Sequence, residues 1–132
     1  MRKSGLFLAM LLMVSLAGCP NNDEDLTDTI TQGTWRVDYI IQNNDEDTSL
    51  FSGYVFTFQT NGTVAVTRPN EPPAQGTWNE YNGETRLTLD FGGNSGLLQR
   101  LNEDWVVDYV IDDELALHEP GAPLDQLRFE KI

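Results

Sequence analysis

Apolar positions along the chain fall into two regimes. Residues 6–14 form one apolar run without a charge, behind the basic pair Arg2-Lys3. From Gly33 onward, short runs alternate apolar and polar residues, each closed by turn residues. A period of two sends successive side chains to opposite faces of a strand, one toward the core and one toward water. Trp35, Val37, Tyr39 and Ile41 alternate with Arg36, Asp38 and Ile40, and Tyr54, Phe56 and Phe58 alternate with Val55 and Thr57. Thr60-Asn61-Gly62 predicts a tight turn into a run carrying Val64 and Val66. Residues 75–80 carry Trp78, and Asn82-Gly83 is a strong hairpin signal leading to Leu87, Leu89 and Phe91. Trp105, Val107, Tyr109 and Ile111 make the next run, which Asp112-Asp113 turns into Leu115 and Leu117. A last run carries Leu127 and Phe129.

These runs predict eight strands, and no segment shows a long helical period. Eight sequential antiparallel strands lose their exposed edges most simply by closing on themselves. The expected fold is therefore all-β, an eight-stranded antiparallel up-and-down barrel, with a two-sheet β-sandwich as the alternative. The longest connections are residues 43–53, 69–74 and 92–104, and Leu97, Leu98 and Leu101 in the last predict a short helix over one barrel end. Strict alternation turns Trp35, Tyr39, Tyr54, Phe56, Phe58, Trp78, Phe91, Trp105, Tyr109 and Phe129 inward. It turns Ile40, Val55, Val106 and Val110 outward, where they would form a partner patch. A barrel of this size is filled by side chains or holds one small ligand. So many rings favour filling, and leave at most a shallow mouth lined by Tyr and Trp.

The first apolar run is too short to span a bilayer, which takes roughly 20 residues. It ends in Leu16-Ala17-Gly18-Cys19, which resembles the lipobox of bacterial lipoproteins. That resemblance implies that residues 1–18 are a signal peptide and that Cys19 carries lipid, palmitate among its acyl chains. It places the protein in the cell envelope as a lipid-anchored protein, with the outer membrane as the expected membrane and surface exposure resting on the acidic cluster at residues 23–25. Cys19 is the sole cysteine, so no internal disulfide forms, and lipidation accounts for the lone thiol. Residues 19–32 then read as an acidic tether, and 33–132 as the barrel domain. Residues 20–32 reach at most about 45 Å when extended. Leu26 and Ile30, four apart, predict one helical turn against the domain. Asp23-Glu24-Asp25 resembles the surface-export signals of Bacteroidetes lipoproteins. Asp28-Thr29-Ile30 resembles their O-glycosylation signal, which makes Thr29 a candidate acceptor.

Without residues 1–18 the chain keeps 114 residues, with 6 basic and 21 acidic side chains and a formal charge of −15. Such a surface repels nucleic acid, which excludes that class of partner. Little catalytic chemistry is present. The single histidine, His118, would need a serine poised beside it, and Ser95 sits in a glycine-rich stretch without a nucleophile-elbow pattern. One histidine and a lipidated cysteine do not make a zinc site. Asn43, Asp45, Asp47 and Ser49 alternate as calcium ligands do, but Thr48 and Tyr54 stand where an EF-hand loop needs Gly and Glu. Asp112-Asp113-Glu114 has too few ligands of its own. No two carboxylates are placed for glycoside hydrolysis. The expectation is a protein that is not an enzyme, with no cofactor and no metal.

Gly33-Thr34-Trp35 at the first strand resembles the Gly-x-Trp signature of lipocalins. Together with Phe56, Phe58, Asn61-Gly62-Thr63, Gly76-Thr77-Trp78, Leu87, Leu89, Trp105 and Leu127-Arg128-Phe129, it resembles the lipocalin-like lipoprotein domains of Bacteroidetes over residues 26–132. The resemblance implies a small barrel with Trp35 at its closed end and Arg128 lying over the ring. Alternation opposes the second point, because Leu127 and Phe129 inward put Arg128 outward. Two functions remain in view. One is a membrane-anchored, non-catalytic module taking a small apolar or sugar-like ligand at one barrel end. The other is an accessory subunit that meets an envelope protein and has a filled core.

Overall fold

A computed structural model of the chain describes residues 25–132; Cys19 and the signal segment lie outside them. Helix α1 (Leu26–Ile30) precedes strands β1 (Trp35–Gln42), β2 (Asp45–Glu46), β3 (Val55–Phe58), β4 (Thr63–Thr67), β5 (Ala74–Tyr81), β6 (Arg86–Asp90), β7 (Glu103–Ile111), β8 (Glu114–Glu119) and β9 (Ala122–Lys131). Two 3-10 turns, η1 (Thr48–Phe51) and η2 (Gly96–Leu101), sit in the longer connections. Each long strand pairs with the next in sequence, and β1 pairs with β9 to close the ring. The result is an antiparallel eight-stranded up-and-down barrel, with β2 as a two-residue spur on β1. The barrel is the expected one, and the sandwich is excluded.

One seam is thin. β1 meets β3 only at Trp35 and Phe56. Beyond that point η1 takes over the β1 edge: Asp47 N–H donates to the Ile40 carbonyl, and Ile40 N–H donates to Thr48 Oγ1, both at 3.0 Å. Phe51 at the end of η1 is then buried in the core.

Two β-bulges correct the inward set. Registers slip between Val37 and Tyr39 on β1 and between Val107 and Tyr109 on β7. One extra residue reverses the facing of all that follows. Tyr39 and Tyr109 therefore point outward; Ile40 is fully buried and Val110 packs against the core. The sequence pattern had each of these the other way round.

Helix α1 belongs to the barrel. Asp25 caps it by accepting from Asp28 N–H at 3.0 Å, and Leu26 and Ile30, one turn apart, are both fully buried. Burying each is worth about 1.5–3 kcal/mol. The predicted turn thus forms, and it packs on the domain. At the opposite end η2 covers the barrel with buried Leu98 and Leu101.

Gly76 marks the tightest spot. A Cβ there would lie 2.5 Å from Phe91 Cδ1 and 2.7 Å from the Asp90 carbonyl oxygen. The ring of Phe91 occupies the space that a side chain at position 76 would need. Gly76→Ala should cost about 1–3 kcal/mol in urea unfolding, the range for an overpacked core. Gly121→Ala, with nothing within 4 Å of its Cβ position, should change stability by under about 0.5 kcal/mol. Equal effects of the two would disprove the close approach.

Candidate functional site

The interior of the ring is occupied by side chains. Ring centroids follow one another from Phe51 to Tyr54 (6.0 Å), Phe56 (6.2 Å), Phe129 (5.2 Å), Phe58 (5.8 Å) and Trp78 (6.2 Å). Leu87, Leu89, Leu115, Leu117 and Leu127 fill the rest. Two concavities lined by described residues lie outside this core. One, about 290 Å³, lies between α1 and the β3–β4 turn beside Asn61, Trp78 and Glu80. The other, about 380 Å³, lies beside Gly76, Asp90 and Phe91. Both open to solvent.

The outer face of β1, β9, β8 and β7 is more organised. Ladder pairing sets three rows across these four strands: Arg36–Glu130–Glu114–Ile111, Tyr39–Arg128–Ala116–Tyr109, and Ile41–Gln126–His118–Val106. The bulges put both tyrosines in the middle row. Arg128 Nε donates to Asp38 Oδ2 at 2.9 Å and lies 3.2 Å from Glu114 Oε2, with its guanidinium 5.1 Å from the Tyr39 ring centroid. Tyr109 Oη donates to Glu114 Oε2 at 2.7 Å. That bond holds the phenol protonated and moves its pKa above the ordinary value. The Arg128 pKa is likewise raised, chiefly by its bond to Asp38. Tyr109 and Ile111 remain 43% and 44% exposed on the β7 side of the face. Alternation concealed this row, and a bulge leaves no composition signal that would have revealed it.

Trp35 is fully buried, and its Nε1–H donates to the Ile30 carbonyl at 3.0 Å. The cation at its ring is Lys131, with Nζ 5.2 Å from the centroid. The lysine stem passes over Gly33, whose φ of +77° brings the chain into β1. Arg128 is therefore not the partner of Trp35, because alternation along β9 carries it to the outer face. Residue 131 stands at the barrel's end, where a flexible stem curls over the rim.

His118 Nδ1 lies 2.6 Å from Asp108 Oδ1 on the same outer face. Ser95 Oγ donates instead to the Gly92 carbonyl. Asp47 is bound to Arg100 at 2.7 Å, and Glu114 serves Arg128 and Tyr109. Among the described residues no group of three His, Cys, Asp or Glu side chains is arranged to hold a metal ion. Thr29 lies within α1 at 7% exposure. It therefore sits on a packed helix and not on the exposed tether that the sequence suggested.

The five arginines among the described residues each sit within 4 Å of a carboxylate. Apart from Glu114, which also meets Arg128, and Asp108 beside His118, the other acids among the described residues have no Lys or Arg within that distance. Glu119 shows the consequence: desolvation first, then repulsion from Glu103 and Asp125, raises its pKa.

No protein-family profile matches the chain, and no curated protein does. Among solved structures, the chain is similar to a DUF4847 family protein from Bacteroides vulgatus ATCC 8482. Sequence identity is 16%, the match covers 80% of this chain and 96% of that one, and the TM-score is 0.60. The likeness is one of fold.

Two predictions follow the geometry. In double-mutant cycles of unfolding, Lys131→Ala should couple to Trp35→Phe by about 0.5–1 kcal/mol, whereas Arg128→Ala should not couple to it. Coupling of Arg128 instead would place the wrong cation at the ring. For Glu119, a folded-state pKa above the unfolded one means that the folded protein binds the extra proton more readily. Its charge therefore destabilises the fold at neutral pH, and the loss disappears as pH falls through the carboxylate range. Glu119→Gln should raise Tm at pH 7 and lose that advantage on acidification. A constant or inverted difference would contradict the raised pKa of Glu119.

Proposed function

We propose that this chain is a lipid-anchored, non-catalytic barrel domain of the cell envelope that works by docking a protein on the outer face of β1, β9, β8 and β7. The observation that supports this reading is the Tyr39–Arg128–Ala116–Tyr109 row on the outer face, beside an interior packed with aromatic and leucine side chains among the described residues. Tyrosine and arginine are the residue types that dominate binding hot spots. Here two tyrosines and an arginine share one ladder row, flanked by exposed Ile111. The arginine is already neutralised by Asp38 and Glu114. The complementary partner is therefore a protein with a net positive surface and an apolar strip, and salt should weaken the complex. Anchoring rests on the Leu16-Ala17-Gly18-Cys19 motif. Among the described residues no helix is long and apolar enough to cross a membrane.

A second reading, a sugar-like ligand in the groove beside α1, has Asn61 and Glu80 in its favour. Trp78 offers it little, because the ring is 8% exposed and its Nε1–H is already donated to the Gln59 carbonyl.

Photo-cross-linking in the native envelope separates the readings. A benzophenone side chain at Tyr109 should give one discrete adduct that Arg128→Ala and high salt both diminish. The same group at Thr67, exposed on β4, should not give it. Adducts at both positions, or at neither, would defeat the docking face.

A further inference from the structure

The chain enters the barrel at one end and is fixed there. Helix α1 is held by three bonds besides its buried leucine and isoleucine. The Ile30 carbonyl accepts from Trp35 Nε1, Leu26 N–H donates to Glu84 Oε1 at 3.1 Å, and Thr27 Oγ1 donates to Glu80 Oε2 at 3.1 Å. Glu80 and Glu84 belong to the β5–β6 hairpin, so α1 is clamped to the ring on two sides. The described residues begin at Asp25, the cap of this clamped helix, six positions after Cys19. Six residues span at most about 20 Å in any conformation, less than half the reach of a tether running to residue 32.

The same end of the barrel carries the β3–β4, β5–β6 and β7–β8 turns and the close of β9. Lys131 N–H donates to the Asp113 carbonyl there, and Ile132 N–H donates to the Thr34 carbonyl. Its rim exposes Tyr81, Ile111 and Ile132. The opposite end carries η1, η2 and the β8–β9 turn. β9 alone, ten residues long, separates the two ends by roughly 30 Å along the strand and somewhat less along the tilted barrel axis. A tether of about 20 Å from the α1 end cannot turn the η1–η2 end to the surface that holds Cys19.

We infer that the α1 end is the lipid-facing end of the domain. Its Tyr81, Ile111 and Ile132 rim lies at the headgroups, while η1 and η2 point away and the Tyr39–Arg128–Ala116–Tyr109 row stands on the flank. This rests on the proposal that Cys19 carries the lipid. A partner of the flank row then approaches sideways, from the same membrane.

The test uses the acylated full chain in phosphatidylcholine vesicles with a headgroup-attached energy acceptor. Acylated Cys19 does not react with maleimide, so one donor dye can be placed at Asp112→Cys or at Leu124→Cys, both exposed in the native protein. Energy transfer should be several-fold stronger from position 112 than from position 124. Equal or reversed transfer from protein that floats with the vesicles would overturn the orientation and leave the anchor standing. Protein that fails to float, or a Cys19→Ser variant that floats equally well, would overturn the anchoring proposal and the orientation with it. Thermal unfolding of each dye-labelled variant near the parent Tm keeps misfolding from passing as a result.

Discussion

The barrel depends on burying three indole rings without orphaning their N–H groups. A buried donor without an acceptor costs as much as the packing gains. Each tryptophan here donates to a carbonyl outside the strand ladders: Trp35 to Ile30, Trp78 to Gln59 and Trp105 to Leu101, at 2.9 to 3.0 Å. Ile30 ends α1 and Leu101 ends η2, so two of these acceptors are carbonyls that a helix terminus leaves unpaired. One bond therefore satisfies two groups, and it also fastens a stopper. Trp35 secures α1 at one end of the ring and Trp105 secures η2 at the other. Lys131 over Trp35 and the Gly33 turn are arranged around the first of these.

The alternation of apolar residues made the ring legible, because period two assigns a face to nearly every strand position. It failed at two places for one physical reason. A bulge inserts a residue without changing the composition around it, and Tyr39-Ile40 and Tyr109-Val110 are pairs in which either member tolerates burial. Nothing in the order of residues says which one the extra position turns outward. The helix was legible only as the spacing of Leu26 and Ile30, since the rest of α1 is polar. What the pattern could not carry was that these two side chains close the barrel. At Arg128 the period of two was the better guide: it points the side chain outward, where Asp38 and Glu114 hold it. The candidate row on the outer face depends on both bulges, and so it was invisible until the register was known.

Charge is distributed to the same effect. The arginines among the described residues all stand against carboxylates, and Lys131 stands against a ring. No exposed cation among them is left to attract an anionic polymer, while Asp45 and Glu46 on the β2 spur and Asp112 and Asp113 in the β7–β8 turn are exposed without a cation among the described residues. The surplus repels like-charged neighbours. It also biases encounter toward positively charged surfaces, a preference that acts on association rate before any contact forms.

Among the described residues, a ligand inside the barrel would compete with packed core side chains. Phe51 ends η1, which lies along the β1 edge beyond the Trp35–Phe56 pair, and it is buried in a segment whose start Asp47 ties to Arg100. Withdrawing such a side chain forfeits about 1.5–3 kcal/mol of burial before a ligand gains anything. The outer face carries no such cost. Glu114 already holds the Tyr109 hydroxyl, Asp38 and Glu114 already hold Arg128, and the Arg128 guanidinium already lies over Tyr39. Much of the side-chain entropy that binding ordinarily removes has been given up in the free protein. A surface built this way favours association over transport. Anchoring the domain by a short tether would then keep that surface at a fixed height, beside whatever shares its membrane.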